Sequence, residues 1–388
     1  MKRLAIITTH PIQYNAPVFK LLAAEKDLSL KVFYTLGKSS EGVIDKGFGK
    51  KIDWDIPLLD GYEYQFVHNT SKNPGSYYFK GVINPSLIQD IESFNPTDIL
   101  VFGWSFDSHF KVLKHFKNKV NVFFRGDSTL LDEKKGVKLL LRRLVLKWTY
   151  RYIDKAFYVG TNNKQYFIKH GVKERNLIFA PHAIDNERFS DDAVNNEGSE
   201  QIRKKLGIPE NHVVFLFAGK FEKKKNPLLL IKAFKNLNQS NVSLLLVGNG
   251  ALEDEMQQEA AGSANIHFLP FQNQTRMPSV YRAGNVLVLP SSGPGETWGL
   301  CINEAMACGL AIIASNKVGC AVDLVQANKN GFIFEADNID DLLDKLEGSS
   351  SIQADALAEM GNASKRLIES WSFNKIREVI ITALHRNT

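Results

Sequence analysis

The sequence predicts an α/β protein of two doubly wound, Rossmann-like domains. Three observations lead to this prediction. The chain has 388 residues, more than one hydrophobic core usually organises. Short, continuously apolar runs alternate with helical patterns, which is typical of parallel strands covered on both faces. This alternation occurs twice, once on each side of a polar segment.

Ten apolar runs are predicted strands. In the first half they cover residues 4–8, 30–34, 99–102, 120–124 and 156–159. In the second half they cover residues 213–218, 243–247, 266–268, 286–289 and 311–314. Helical patterns include 227–236, 252–261 and 297–308, and a last helix over about 374–386.

The polar, aperiodic segment 190–201 is the predicted linker. We therefore expect an N-terminal domain over residues 1–190 and a C-terminal domain over 200–369. The helix at about 370–388 follows the second domain in the sequence, and we expect it to pack back on the first.

Composition narrows the class of protein. No apolar run approaches the ~20 residues that span a bilayer, and the run Leu4–Ile7 is too short for a signal peptide. Three cysteines without a CxxC pair indicate neither a disulfide framework nor a zinc site, which fits a reducing cytoplasm. We expect a cytoplasmic protein, located in part at the inner face of the membrane.

Charge is distributed unevenly between the two halves. Residues 1–190 carry a net charge of +10 and the remainder −4, within a total of +6. A basic first half indicates an anionic partner, while no nucleic-acid-binding motif is present. Residues 134–153 contain seven basic residues, no acidic ones, and an apolar stripe at helical spacing. This helix either contacts an anionic membrane or packs on the core with solvated basic sides.

The glycine motifs of common nucleotide-binding folds are absent. No GxGxxG follows the first strand, which disfavours a dinucleotide dehydrogenase, and no GxxxxGK[ST] occurs. The predicted strand 213–218 instead runs into Gly219-Lys220-Phe221-Glu222-Lys223-Lys224-Lys225. Ligands of open α/β sheets lie beyond the carboxyl ends of strands, so Lys220 and Lys225 either bind a diphosphate or form a solvated basic turn.

A second loop joins a strand to a helix at Pro290-Ser291-Ser292-Gly293-Pro294-Gly295-Glu296-Thr297-Trp298-Gly299-Leu300. Backbone amides at a helix start can bind phosphate. Glu296 and Glu304 are eight residues apart, about two helical turns, so both carboxylates are expected near one helix face. They contact a sugar and a ribose diol, or else Glu296 caps the helix and Glu304 is a surface acid.

These motifs resemble the signature of the family 4 retaining glycosyltransferases. The resemblance implies the GT-B fold, in which two Rossmann-like domains face each other across a cleft. The stretch PSSGPGETWGLCINEAMACGLAIIA has the family's two glutamates separated by seven residues. Lys220 to Lys225, the run LLVGNG at 245–250, PHAIDNERF at 181–189 and Asn330-Gly331-Phe332 match further motifs in the same order. The similarity spans roughly residues 150–345.

The resemblance implies roles for these residues. Lys220 and Lys225 would bind the donor diphosphate, and Glu304 the ribose hydroxyls. Glu296 and the backbone amides of Thr297, Trp298, Gly299 and Leu300 would contact the transferred sugar and the phosphate, with Phe271 and Gln272 near the base. The N-terminal domain would bind the acceptor and the C-terminal domain the nucleotide sugar. No metal and no cofactor are then required, because the donor is itself a substrate.

The chain departs from the family pattern in two places. The family usually has arginine where this chain has Lys220, which keeps the charge but loses bidentate geometry. A histidine often follows a late strand of the N-terminal domain, whereas here the strand is followed by Arg125-Gly126-Asp127. Asp127, His10 and His109 are the candidates for the missing group, and for each histidine a structural role is the alternative.

The expected activity is retaining transfer of a hexose from a UDP- or GDP-sugar to a glycan or lipid-linked glycan, in cell-surface polysaccharide synthesis. A nucleotide-sugar epimerase of the same fold and a non-catalytic sugar-nucleotide-binding protein are the alternatives. The triplet Asp53-Trp54-Asp55 matches a DxD metal motif, but the surrounding sequence offers no further ligand, so a loop or strand edge is the favoured interpretation.

Overall fold

The chain forms two compact units. The computed structural model describes residues 1–37, 44–45, 50–51, 54–134, 136–189 and 193–385. Unit 1 contains Met1–Val43, Ile56–His182 and Phe373–Thr388, and unit 2 contains Ile44–Asp55 and Ala183–Ser372. Each unit has its own parallel sheet and its own buried core.

Seven parallel strands form the sheet of unit 1, in the order β5-β2-β1-β6-β7-β8-β9. The strands are β1 Lys2–Thr8, β2 Leu28–Tyr34, β5 Glu63–Phe66, β6 Asp98–Phe102, β7 Asn121–Arg125, β8 Lys155–Tyr158 and β9 Leu177–Phe179. The helices are α1 Ala16–Ala23, α2 Leu87–Phe94, α3 Asp107–Phe116, α4 Val137–Thr149, α5 Thr161–Lys169 and α14 Phe373–His385.

Unit 2 has a six-stranded parallel sheet in the order β12-β11-β10-β13-β14-β15. Its strands are β10 Val213–Ala218, β11 Val242–Val247, β12 Ile266–Leu269, β13 Val286–Leu289, β14 Ala311–Ser315 and β15 Gly331–Phe334. Its helices are α6 Ala193–Leu206, α7 Pro227–Lys235, α8 Glu253–Ala260, α9 Met277–Arg282, α10 Leu300–Ala307, α11 Ala321–Leu324, α12 Ile339–Ser350 and α13 Ala354–Ile368. A short antiparallel pair, β3 Ile44–Asp45 and β4 Lys50–Lys51, also belongs to this unit.

The predicted α/β class and parallel sheets are confirmed. All ten predicted strands are present, with ends within two residues of those expected. Three further strands of the two parallel sheets, β5, β9 and β15, are not among the predicted ones. Each lies at an edge of its sheet, where one side of the strand has no neighbour, and most of their residues are only partly buried.

The predicted linker is wrong over residues 193–201, because they form the first part of α6. The polar composition concealed a helix that packs through small residues: a Cβ added at Gly198 would lie 2.4 Å from the Ser279 Oγ of α9. Residues 190–192 lie outside the described part of the chain.

Helix α14 belongs to unit 1 although it follows unit 2 in the sequence. It packs against α1, and its apolar face, which includes Phe373, Ile376 and Ile380, is buried. An ion pair joins Arg377 to Glu25 at 3.4 Å.

Candidate functional site

The loops at the carboxyl ends of β10 and β11 lie in backbone contact. A Cβ at Gly248 would lie 2.0 Å from the carbonyl oxygen of Gly219, and one at Gly250 would lie 2.5 Å from that of Phe221. Side chains at these two positions would force the loops apart. The glycines of LLVGNG therefore hold the backbone around Lys220 in place. Lys220 directly follows Gly219, and its side chain is half-buried.

A short 3₁₀ turn at Lys223–Lys225 leads from this loop to α7. Asn226 follows it with φ of 51°, in the left-handed region that asparagine tolerates, and Pro227 begins the helix. The backbone amide of Ser292 donates to the Lys224 carbonyl at 2.9 Å. This hydrogen bond ties the turn to the loop that follows β13.

Lys225 and Glu296 form a buried ion pair in unit 2. The Lys225 Nζ and the Glu296 Oε2 lie 2.6 Å apart, with 14% and 8% of the side chains exposed. Ser291 Oγ donates to the same carboxylate oxygen at 3.1 Å. Burial alone would lower the pKa of Lys225, but Glu296 and further anionic groups outweigh it and raise that pKa. A positive charge is thus held in the loop region by a carboxylate.

Helix α10 begins at Leu300, later than the predicted 297. Glu296 therefore lies in the loop before the helix, and the expectation that it shares a helix face with Glu304 is wrong. Gly299 caps the helix with φ of 98°, and a Cβ there would lie 2.9 Å from the Val318 side chain. The loop is folded by tertiary contacts, including the Gly319 amide, which donates to the Glu296 carbonyl at 3.0 Å.

Glu304 is buried within α10 and accepts a hydrogen bond of 2.7 Å from the Tyr281 hydroxyl. The Cys301 thiol, in the first turn of α10, lies within the electrostatic influence of Lys225, Glu296 and Glu304. Burial raises the pKa of Cys301 to about 12; the charge of Lys225 acts to lower it, while those of Glu296 and Glu304 raise it further. Both glutamates and Lys225 therefore act on one point in the first turn of α10. Glu304 is therefore not a surface acid, and the N-cap of α10 is Gly299 and not Glu296.

The Trp298 side chain supports the loop. It is buried, and its Nε1 donates to Asn303 Oδ1 at 2.9 Å. Its ring packs on that of Trp371 with centroids 5.3 Å apart. A Cβ at Gly319 would lie 1.8 Å from the Thr297 carbonyl oxygen, so this glycine is also required by the loop.

Phe271 and Gln272 follow β12 and are half-buried. The Phe271 amide donates to the Asn249 side chain at 2.9 Å, and Asn249 in turn donates to Glu253 at 3.0 Å. The segment is thereby fixed to the glycine-rich loop after β11. Gln272 donates to the Pro270 carbonyl at 2.8 Å.

Unit 1 has a polar cluster beyond β7 and β9. The buried Arg125 guanidinium donates to the carbonyls of Ala180 and Pro181 at 2.8 Å each. Burial lowers the pKa of Arg125 to about 10, against the opposing effect of Asp127. His182 Nε2 lies 3.9 Å from Asp127 Oδ2, and burial is the main cause of the lowered His182 pKa.

His182 is not among the residues predicted from the sequence. It belongs to the motif PHAIDNERF at 181–189, but nothing in that motif marks its histidine as functional. Only the fold brings His182 close to Asp127. Arg125 was likewise not a candidate.

The two predicted histidines of unit 1 differ in setting. His109 is fully buried; its Nδ1 lies 3.0 Å from the Gly103 carbonyl oxygen and its Nε2 lies 2.8 Å from Thr35 Oγ1. Burial lowers the pKa of His109 to about 4. These contacts support a structural role. His10 directly follows the loop residue Thr9, whose hydroxyl lies 2.9 Å from its Nδ1, and burial lowers its pKa as well.

The DxD triplet falls partly outside the described chain, since Asp53 is not described. Asp55 accepts a hydrogen bond of 3.2 Å from the Thr275 amide, and a second from the Thr275 hydroxyl. This carboxylate thus fixes a loop within unit 2. Among the described residues, His, Cys, Asp and Glu side chains nowhere gather in a group of three that could hold a metal ion.

The whole chain shares its fold with solved GT-B glycosyltransferases. An Anabaena HepE structure, crystallised with UDP and glucose, has a TM-score of 0.73 at 16% identity and covers 100% of both chains. The lipopolysaccharide glycosyltransferase WaaG has a TM-score of 0.67 at 15% identity, with 98% of each chain covered. The predicted pair of Rossmann-like GT-B units is therefore confirmed as a fold.

Residues 198–367 match the family model "Glycosyl transferases group 1". A D-inositol 3-phosphate glycosyltransferase of Gordonia bronchialis is 29% identical over 48% of this chain and 43% of its own length. A UDP-Gal:alpha-D-GlcNAc-diphosphoundecaprenol alpha-1,3-galactosyltransferase of Escherichia coli is 28% identical over 53% and 54%. The chain thus spans about half the length of the curated relatives it matches.

Proposed function

We propose that the protein is a retaining glycosyltransferase of family 4, which moves a hexose from a UDP- or GDP-sugar to a glycan or lipid-linked glycan in cell-surface polysaccharide synthesis. The observation that carries the proposal is the buried Lys225–Glu296 pair, 2.6 Å apart, in the loops between β10, β13 and α10. A cation and a carboxylate so placed suit a substrate that is an anionic diphosphate at one end and a sugar at the other.

In the proposed reaction the bond between the sugar C1 and the diphosphate oxygen breaks, and the acceptor hydroxyl oxygen bonds to C1 from the same face while its proton passes to the leaving diphosphate oxygen. The leaving diphosphate gains negative charge. Lys225, Lys220 and the amides of Thr297, Trp298, Gly299 and Leu300 stabilise that charge without a metal ion. Glu296 contacts the sugar, Glu304 the ribose hydroxyls, and Phe271 and Gln272 the base.

Unit 1 supplies the acceptor side in this proposal. Asp127 takes part in catalysis and His10 in substrate binding. His182, 3.9 Å from Asp127, joins them as a positioning residue for that carboxylate. The Arg125 guanidinium, held by two carbonyls, places a positive charge near Asp127.

The similar proteins support the choice of substrates. The E. coli relative is named for a UDP-galactose donor and a sugar diphospho-lipid acceptor. The Anabaena HepE structures contain UDP, UDP-glucose, or UDP with glucose. We propose that this chain likewise uses a nucleotide-sugar donor and a lipid-linked acceptor. We further propose a cytoplasmic location and peripheral contact with the membrane through the basic segment 134–153.

The test measures release of nucleoside diphosphate from a panel of UDP- and GDP-sugars, with and without lipid-linked glycans, in the presence of EDTA. Release that requires an acceptor and survives EDTA is expected, with the product sugar in the donor's anomeric configuration by NMR. Conversion of the donor sugar without any acceptor would establish the epimerase instead. Tight nucleotide binding without turnover across the panel would leave a binding protein.

A further inference from the structure

Helix α4 of unit 1 exposes an apolar face. Six of its apolar side chains are 43 to 72% exposed: Val137, Leu140, Leu141, Leu144, Val145 and Trp148. At 100° per residue these positions form one stripe. The opposite side of the helix packs on the core through Leu146 and Thr149, which are fully buried. A helix on the surface of a water-soluble protein ordinarily turns its apolar face to the core and its polar face to the solvent.

The apolar stripe continues as an aromatic cluster beyond the end of α4. The ring of Phe110 on α3 lies 5.1 Å from that of Trp148 and 5.9 Å from that of Tyr152. The ring centroid of Phe79 lies 6.5 Å from that of Phe110, and Tyr77, two residues earlier in the sequence, is 79% exposed. We call this combined surface the α4 face; it consists of the six apolar residues above with Tyr77, Phe79, Phe110 and Tyr152.

Basic side chains border the α4 face on both sides. Lys138 and Arg142 project on one flank of the helix, and Arg143 and Lys147 on the other. Arg142 donates to the Tyr166 hydroxyl at 3.2 Å and Arg143 pairs with Glu133 at 3.1 Å. Lys134, Lys138, Lys147 and Arg151 are exposed. Segment 134–153 contains no acidic residue.

We infer that the α4 face docks unit 1 on an anionic lipid bilayer, with the apolar stripe inserted among the acyl chains and the flanking cations at the headgroups. Leucines inside, aromatic rings at the boundary and lysines that extend to the polar layer are the arrangement of an interfacial helix. If a second copy of this chain covered the same stripe, the basic residues of the two copies would repel each other, so an anionic bilayer is the favoured occupant. The inference deepens the proposed lipid-linked acceptor, but its test does not depend on catalysis.

No helix among the described residues combines the length and the apolar character that a bilayer crossing needs. Binding through the α4 face is therefore expected to be reversible. It combines an apolar contribution with an electrostatic one, and the second contribution weakens as salt is added.

The experiment measures co-flotation of the full chain with vesicles of phosphatidylcholine alone and of phosphatidylcholine mixed with phosphatidylglycerol. We expect binding that increases with phosphatidylglycerol content and falls with salt. The double variant Leu141→Gln/Leu144→Gln should weaken binding by about tenfold or more, since each substitution removes a leucine's transfer into the apolar layer. Lys138→Gln/Lys147→Gln should remove most of the dependence on phosphatidylglycerol.

Matched control variants lie in unit 2. Val194→Gln/Val322→Gln changes two exposed apolar residues elsewhere, and Lys204→Gln/Lys205→Gln changes two exposed lysines of α6. Both should bind vesicles as the unmodified protein does. All the substituted side chains are exposed, so circular dichroism should show unchanged folding.

A second readout uses Trp148. Its fluorescence should shift to shorter wavelength on anionic vesicles, and Trp148→Phe should abolish that shift. Equal vesicle binding by Leu141→Gln/Leu144→Gln and the Val194/Val322 control would overturn the inference. So would an oligomer, seen by light scattering, that dissociates in the leucine variant while vesicles are not bound. Loss of donor turnover with vesicle binding intact would count against the proposed enzyme and not against the α4 face.

Discussion

Lys225 and Glu296 show what a single sequence reveals about residues and what it omits. The position of Lys225 beyond a predicted strand allowed either a phosphate-binding cation or a solvated basic turn, and Glu296 was expected at a helix mouth. Their contact at 2.6 Å joins residues 71 positions apart, which no local pattern indicates. His182 beside Asp127 is a second contact of this kind.

The pair should show strong energetic coupling. Lys225→Ala leaves Glu296 buried without its counter-charge, and we expect a loss of about 3 kcal/mol in the free energy of unfolding. Lys225→Ala/Glu296→Ala should cost less than the sum of the two single variants, since no uncompensated charge remains. Urea denaturation of the four proteins of this double-mutant cycle measures the coupling. Additive losses would mean that the two charges do not interact in solution.

Acid should weaken unit 1 through its buried histidines. The folded-state pKa of His109 is about 4, below its ordinary value of 6.5. As pH falls below about 6.5, the unfolded chain binds a proton at this residue that the folded chain does not. Stability is therefore lost between pH 6.5 and 4, by about 3 kcal/mol for His109.

Unfolding free energies measured across this pH range check the expectation. His109→Gln should flatten the decline, whereas His68→Gln, at an exposed position of the same unit, should leave it unchanged. An identical slope in all three proteins would contradict the assignment.

At the scale of elements, the central strands were easier to predict than the edge strands. Strands such as β10 and β11 are covered on both faces and appear as continuous apolar runs of six residues. Of the four edge strands only β12 was predicted: β5 contains Glu63 and Gln65, β9 has three residues, and β15 begins at Gly331. The first part of helix α6 does not look helical in the sequence because its contacts to α9 use small and polar residues. The start of α10 could not be predicted because tertiary contacts fold residues 296–299 into a loop.

The glycine-rich loop after β11 should tolerate no side chain. Gly250→Ala places a Cβ 2.5 to 2.8 Å from the backbone of Phe221, so the loop around Lys220 must shift. We expect a loss of stability of about 1–3 kcal/mol and weaker donor-nucleotide binding. Thermal unfolding and calorimetric titration with UDP and GDP measure the two effects.

Gly348→Ala is the matched control. This glycine lies within α12, and a Cβ there meets no atom within 4 Å. Because alanine favours helix, the variant should gain about 0.5–1 kcal/mol and bind nucleotide normally. A Gly250→Ala protein as stable as Gly348→Ala would show that the two loops do not touch.

At the scale of the whole molecule, the sequence indicated two Rossmann-like units, and a last helix that returns to the first was expected. The order of the strands within each sheet and the membership of Ile44–Asp55 in unit 2 could not be predicted from the sequence, because both depend on contacts between distant segments. The candidate site was predicted largely through family motifs in unit 2. In unit 1 the sequence after β7 shows Arg125-Gly126-Asp127 where the resemblance led us to expect a histidine, and the polar cluster there emerged only from the fold.

Helix α14 should stabilise unit 1 without affecting the donor site. Ile380→Ala removes a buried side chain from its contact with the rest of unit 1, and we expect a loss of about 2–5 kcal/mol. Thr382→Ala, at an exposed position on the same helix, should be nearly neutral. Nucleotide affinity at a temperature where both variants are folded should equal that of the unmodified protein. A large change in affinity for Ile380→Ala would mean that α14 also supports unit 2.

Sugar transfer by Lys225→Ala and Lys224→Ala tests the central claim most directly. The two lysines are adjacent in one turn, but Lys224 lies 3.4 Å from Glu222 and is more exposed, whereas Lys225 is held against Glu296. With the donor and acceptor from the panel, nucleoside diphosphate release should fall about 10²–10³-fold in Lys225→Ala, because a preorganised charge is removed from the leaving group. Lys224→Ala should stay within a few-fold of the unmodified protein. Equal rates in the two variants would contradict the assignment of Lys225 to the leaving diphosphate, and with it the proposed site.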